Sequence, residues 1–331
     1  MRLFRNLGKQ HRNTQRSFLL GERSLRAYLA GGNVRFLKDA ETNLSVIGPE
    51  ARQYKDARFY LGITKAQLRK ANESIEILTK LQESVSTERE GSSDLDFADR
   101  IALQLAYAHI KTYTDKGYEA AEKVLNDLVS SASTKKSGEL LLQAKSLQAF
   151  LYSVMAGYST LELQKPDLAR KAQNIGEEVL NDPRSSAGVR FEALNALGIA
   201  WMRIAEKGWD GSGDRAISCT KAQSYFDQAL LIVPNSVRVL QNMATLRLIQ
   251  IQQNFGKDRS VLLEEAKQLV KRSLEVNDQD QFPFYQLAQI AVEERDKASA
   301  LSYIREGQNR PGAVKEKSWA RVESAAEALQ S

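Results

Sequence analysis

Small and apolar residues recur along this chain at intervals of three and four, the spacing that keeps side chains on one face of an α-helix. The clearest instance is FPFYQLAQIAVEERDKASALSYIREGQNRPG, residues 282–312. Leu287, Ala288 and Ala291 share the face of a first helix, a turn falls near Arg295–Asp296, and Ala300, Ile304 and Gly307 face inward from a second helix. Pro311, which cannot continue a helix, ends it. Small side chains at 288 and 300 let the two helices approach closely. Residues 57–82 repeat the pattern, with Leu61 and Gly62 in the first helix and Ser74, Leu78 and Leu81 in the second. Ser74 follows Gly62 by twelve residues, as Ala300 follows Ala288 by twelve.

Further copies fill the chain between these two. IALQLAYAHIKTYTDKGYEAAEKVLNDLV places Gly117-Tyr118 at a turn with Ala121, Leu125 and Leu128 behind it. A looser copy runs to Pro183. In residues 191–234, Gly198 and Ala222 lie 24 apart, and the excess falls on the stretch 207–219. Ala244 and Ala266 lie 22 apart, which predicts a longer first helix and a turn near Gly256–Asp258. Residues 17–47 read as one more pair, broken at Gly31-Gly32. Residues 313–331 read as a closing helix with a stripe of Trp319, Val322, Ala326 and Leu329, the kind of cap a repeat stack needs over its last apolar face. Polar stretches at 84–96 and 130–138 read as loops, with Asp94 and Asp96 as caps of a helix opening near Phe97.

The match is strongest at 57–82, 191–234 and 282–312. In the middle stretch Leu194, Leu197, Gly198 and Trp201 are followed by Ala222, Phe226, Ala229 and Pro234. In these residues the chain resembles the tetratricopeptide repeat family, whose unit is a helical hairpin with small residues where its two helices cross. The departures are the long units, Ser74, and Lys65 where an aromatic belongs. The resemblance implies an all-α superhelix: a solenoid of about six to seven hairpins over 17–312, closed by the helix at 313–331. It also implies protein-binding rather than catalytic work. Some members grip a terminal carboxylate with Lys and Asn; Asn242 occupies such a position, but 190–201 and 282–291 contain no lysine, which speaks against that ligand.

Composition supports helices and narrows the chemistry. Six prolines and nineteen glycines in 331 residues leave long stretches of good helix formers. One cysteine, Cys219, excludes an intrachain disulfide and fits a reducing, cytoplasmic setting. His11, His109 and Cys219 supply no metal set, and GWDGSG at 208–213 lacks the Lys-Ser/Thr of a phosphate loop. His109, near Tyr113 and Asp115, reads as a partly buried helix residue rather than a base. No nucleophile or cofactor loop emerges, so no catalytic, cofactor or metal site is expected.

Charge is concentrated at one end. Residues 1–38 hold nine Lys and Arg, among them Arg2, Arg5, Lys9, Arg12 and Arg16, against Glu22 alone, a net of +8. The whole chain is +6, so residues 39–331 carry −2. The arm, residues 1–16, is expected to be disordered or partly helical. Three readings stand open for it: a solvated tail, a contact for an acidic partner or nucleic acid, or a targeting or membrane-surface segment, since Leu3, Phe4, Leu7, Phe18, Leu19 and Leu20 interleave with arginine.

Stacked hairpins leave a groove lined by first helices. The groove candidates are Asn195, Arg203, Asn242, Arg247, Gln286 and Gln289, an amide-rich and weakly basic set suited to an extended peptide. Trp209, in the 207–219 stretch, is a candidate anchor for a partner. The leading expectation is an adaptor that binds a protein or peptide. The alternatives are a regulatory sensor for a small ligand or signalling peptide, and a nucleic-acid-associated protein led by its arm.

Overall fold

A computed structural model of the chain describes residues 2–87, 92–134, 138–160, 162–209, 215–254, 258–310, 314 and 316–329. Among these the regular structure is helical throughout. Helices α1 (Arg2–Leu29), α2 (Arg35–Ser45), α3 (Tyr54–Gln67), α4 (Ala71–Thr87), α5 (Ser92–Ile110) and α6 (Asp115–Thr134) precede α7 (Gly138–Tyr158). A short 3-10 turn (Glu162–Gln164) leads into α8 (Lys165–Asn181). Then follow α9 (Ala187–Lys207), α10 (Arg215–Ile232), α11 (Val237–Gln252), α12 (Arg259–Val276), α13 (Gln281–Glu293), α14 (Lys297–Gln308) and α15 (Glu316–Glu327).

The chain forms two units, Met1–Ala144 and Lys145–Ser331, with the division inside α7. In the first, α1 to α6 pack side by side in order, and in the second α8 to α15 do; odd-numbered helices also touch across the row: α1 with α3 and α3 with α5, then α9 with α11, α11 with α13 and α13 with α15. The odd-numbered helices are therefore the first helices of the hairpins, packed against their own kind as well as their partners.

Hairpin crossings sit where the spacing predicts. Ala288 and Ala300 are fully buried. Ser74 Oγ donates to the Gly62 carbonyl at 2.7 Å, so the twelve-residue interval is a direct contact. Serine replaces alanine there because its hydroxyl finds an acceptor in the opposing backbone. A Cβ on Gly198 would stand 2.4 Å from the ring of fully buried Phe226, so only glycine fits that crossing. Lys65, at the expected aromatic position, instead pairs with Glu41 at 2.6 Å and Glu73 at 2.5 Å.

Four of the first helices end alike. Gly31, Arg69, Gly208 and Arg295 take left-handed backbones with φ of 94°, 64°, 72° and 61°. After each, the next N–H donates five residues back: Gly32 to Ala27, Lys70 to Lys65, Trp209 to Ile204 and Asp296 to Ala291. This six-to-one bond satisfies carbonyls that a helix end leaves open and turns the chain back. Side chains start several of the next helices, as Ser236, Asp258, Asp280 and Asp296 accept from backbone N–H groups of the first turn.

Several boundaries differ from expectation. Helix α1 runs unbroken from Arg2, so residues 2–16 of the arm are the front of the first hairpin's own helix. Gly117 and Tyr118 lie inside α6, the turn having closed by Thr114. The extra residues between Gly198 and Ala222 lengthen α9 and α10 to 21 and 18 residues, so Cys219 stands inside α10. The polar stretch 84–96 is mostly helix, because α4 reaches Thr87 and α5 opens at Ser92, five residues ahead of Phe97. The stretch 130–138 likewise belongs largely to α6, which reaches Thr134, and α7 opens at Gly138. Pro311 lies outside the described residues. On α15, Trp319, Val322 and Ala326 are buried, and Tyr285 meets the Trp319 ring edge-on at 5.3 Å.

Candidate interaction surface

Amide side chains tie the first helices of the second unit together. Asn242 Nδ2, on α11, donates to Asn195 Oδ1 on α9 at 3.1 Å. Gln286 Nε2, on α13, donates to the Gln241 carbonyl at 2.7 Å and to Thr245 Oγ1 at 3.0 Å, both on α11. Gln241 Nε2 donates in turn to Asp280 Oδ2 at 3.1 Å and Ser273 Oγ at 3.3 Å. Near the helix ends, Gln253 Nε2 donates to the Glu206 carbonyl at 2.8 Å while its Oε1 accepts from Arg215 at 2.5 Å. The result is a polar seam across α9, α11 and α13.

Two arginines flank the seam. Arg203 lies over the Tyr158 ring at 5.2 Å and donates to Glu206 at 2.7 Å. Burial works against both charges, but each outweighs it for the other: Tyr158 and Glu206 hold Arg203 above its ordinary pKa, and Arg203 holds Glu206 below. Arg247 is buried and donates to Glu265 at 2.6 Å and Gln250 at 3.1 Å. A third pair, Arg238 with Glu192 at 2.5 Å, stacks its guanidinium over Phe150 and Phe191.

Asn195 and Gln286 are fully buried, Arg247 is buried, and Arg203, Asn242 and Gln289 are half-buried. Among the described residues, Asn195 Nδ2, Gln286 Oε1 and Arg203 Nε are enclosed without a hydrogen-bond partner. Trp209 is half-buried and follows the left-handed Gly208, while residues 210–214 lie outside the described residues. Arg12 and Arg16 are exposed; the side chains of Arg2, Arg5 and Lys9 lie outside the described residues. His109 is half-buried, and burial lowers its pKa. Gln241, Thr245 and Asp280 join the seam without having been singled out in the sequence. A signal existed for Gln241, which stands three residues before Ala244 as Asn195 stands three before Gly198.

Helical hairpins in common register, joined by polar bonds between their first helices, define an all-α repeat protein. No protein family and no curated protein matches the chain by sequence. Among solved structures it is similar to a crystal structure of a tetratricopeptide repeat protein from Parabacteroides merdae, with 12% identity and a TM-score of 0.49 over 96% of this chain and 99% of that one. No helix among the described residues is long and apolar enough to cross a membrane.

Proposed function

We propose that this chain is a non-enzymatic cytoplasmic adaptor that holds an extended peptide of a partner protein against α9, α11 and α13. The observation that carries the reading is a row of half-buried amides on neighbouring first helices, Asn242 on α11 and Gln289 on α13. A peptide backbone offers both a carbonyl and an N–H to such amides. Half-buried Trp209 supplies an aromatic anchor where α9 ends.

A peptide-display selection on the full chain tests this. Selected peptides should bind at least about tenfold more weakly to an Asn242→Leu/Gln289→Leu variant, a loss of about 1.4 kcal/mol. A Trp209→Ala variant should lose affinity while keeping its melting temperature. Peptides that bind all three proteins equally, or a selection with no enrichment, would remove α9, α11 and α13 as the binding face.

A further inference from the structure

Helix α1 has 28 residues, but α2, which packs along it, has only 11. The packing lies toward the C-terminal end of α1, where Gly21 meets Leu44, Leu25 is buried and Phe18 approaches Tyr60 at 6.1 Å. At about 1.5 Å per residue, the sixteen residues before this stretch extend roughly 24 Å further.

The other side of this helix has a different composition. Arg12 and Arg16 lie four apart, Leu19 and Leu20 lie three and four after Arg16, and Arg23 lies four and three after them, which puts all five on one face. All five are exposed, Leu19 at 55% and Leu20 at 42%. With Gln15 they line a shallow depression of about 330 Å³. In sequence Arg2, Arg5 and Lys9 continue the spacing. Glu22, the one acid of residues 1–38, does not neutralise this face: it lies on the packed side, bonded to Arg26 at 2.6 Å and to the Tyr60 hydroxyl at 3.3 Å.

We infer that α1 lays this outward face on an anionic lipid bilayer, its arginines on lipid phosphates and Leu19 and Leu20 in the headgroup boundary. Phosphate attraction alone would serve a nucleic acid equally. Exposed leucines on either side of the Arg16–Arg23 line are what favour lipid, since a boundary layer buries them and a sugar-phosphate backbone does not. The face also points away from the packing side of α1, so a flat surface can meet all five side chains together. Residues 39–331 carry −2 net, so the chain's excess of positive charge lies in residues 1–38.

Vesicle flotation of the full chain tests the inference. Phosphatidylcholine vesicles with about one third phosphatidylserine should carry the protein, and pure phosphatidylcholine vesicles should not. An Arg12→Glu/Arg16→Glu/Arg23→Glu variant should stay in solution. A Leu19→Ser/Leu20→Ser variant should bind at least about tenfold more weakly. Circular dichroism matching wild type shows that each variant has kept its fold. The inference is overturned if the leucine variant floats like wild type, if charge reversal leaves binding intact, or if wild type fails to bind the anionic vesicles. It is also overturned if a short DNA duplex binds more tightly than the vesicles and is indifferent to the leucines.

Discussion

Arg295 and Asp296 sit side by side with opposite effects on the last hairpin. Arg295 holds φ 61°, a left-handed conformation costly for a residue with a Cβ. Asp296 caps α14: its carboxylate accepts from the Ser299 N–H at 3.0 Å and hydroxyl at 2.6 Å, and the Ser299 bond lowers its pKa. Arg295→Gly should therefore stabilise the protein by about 0.5–1 kcal/mol, and Asp296→Ala should destabilise it by about 1 kcal/mol. Thermal melts would show shifts of about 2–4 °C per kcal/mol in opposite directions. Two shifts of the same sign would mean that turn strain or capping has been misassigned. Cys219 gives a second residue-level test. Burial on α10 pushes its thiol from 9.0 up to about 11. Between those values the folded protein holds a proton that the unfolded chain has lost, so stability should fall as pH rises from 9 to 11. A Cys219→Ser variant should lack that dependence in denaturant titrations, and a thiol reagent at pH 8 should label wild type only after denaturation.

Elements were most legible where a small residue marks a crossing. Gly62 with Ser74, and Ala288 with Ala300, announce their hairpins because close approach forbids a large side chain, and that constraint is written in residue size. Polar side chains carry no such mark. Asn195 and Gln286 read as groove residues because a solvated amide and one bonded inside a seam have the same sequence, and only the neighbouring helix distinguishes them. One regularity was present but unnoticed. Tyr60, Asn242 and Gln286 each stand two residues before the small residue of their helix, at Gly62, Ala244 and Ala288. Each donates a hydrogen bond to the preceding first helix, namely to Glu22, Asn195 and the Gln241–Thr245 stretch. The position adds a directional link to otherwise apolar packing between hairpins. The crossing itself is testable at Gly198. Gly198→Ala drives a methyl into the Phe226 ring and should destabilise by about 1–3 kcal/mol. Adding Phe226→Leu should recover part of that loss, so the two changes should prove non-additive in a double-mutant cycle. Additive losses would show that the pair does not share one crossing.

At the scale of the molecule, the repeat register was legible and the division of the chain was not. Hairpin spacing continues through residues 100–180 with weaker marks, and nothing in it singles out Ala144–Lys145, which falls in mid-helix. Contacts in a repeat array are made chiefly with the next hairpin, so a unit can keep its stability when a distant one is removed. The first unit centres on a core from Leu25 through Leu37, Phe59 and Leu78 to Leu105. The second has its own, ending in Phe284 and Ile304 packed with Trp319 of α15. A fragment cut at Ala144 would split α7 and remove the first turns of the helix that holds buried Phe150 and Leu151. Residues 138–331, which keep α7 whole, should therefore fold alone and unfold in one cooperative transition, whereas 145–331 should melt at a lower temperature. Circular dichroism melts of the two fragments decide this. An aggregated or non-cooperative 138–331 would mean that the second unit draws its stability from the helices before α7, and equal melting points would mean that the first turns of α7 contribute nothing to it.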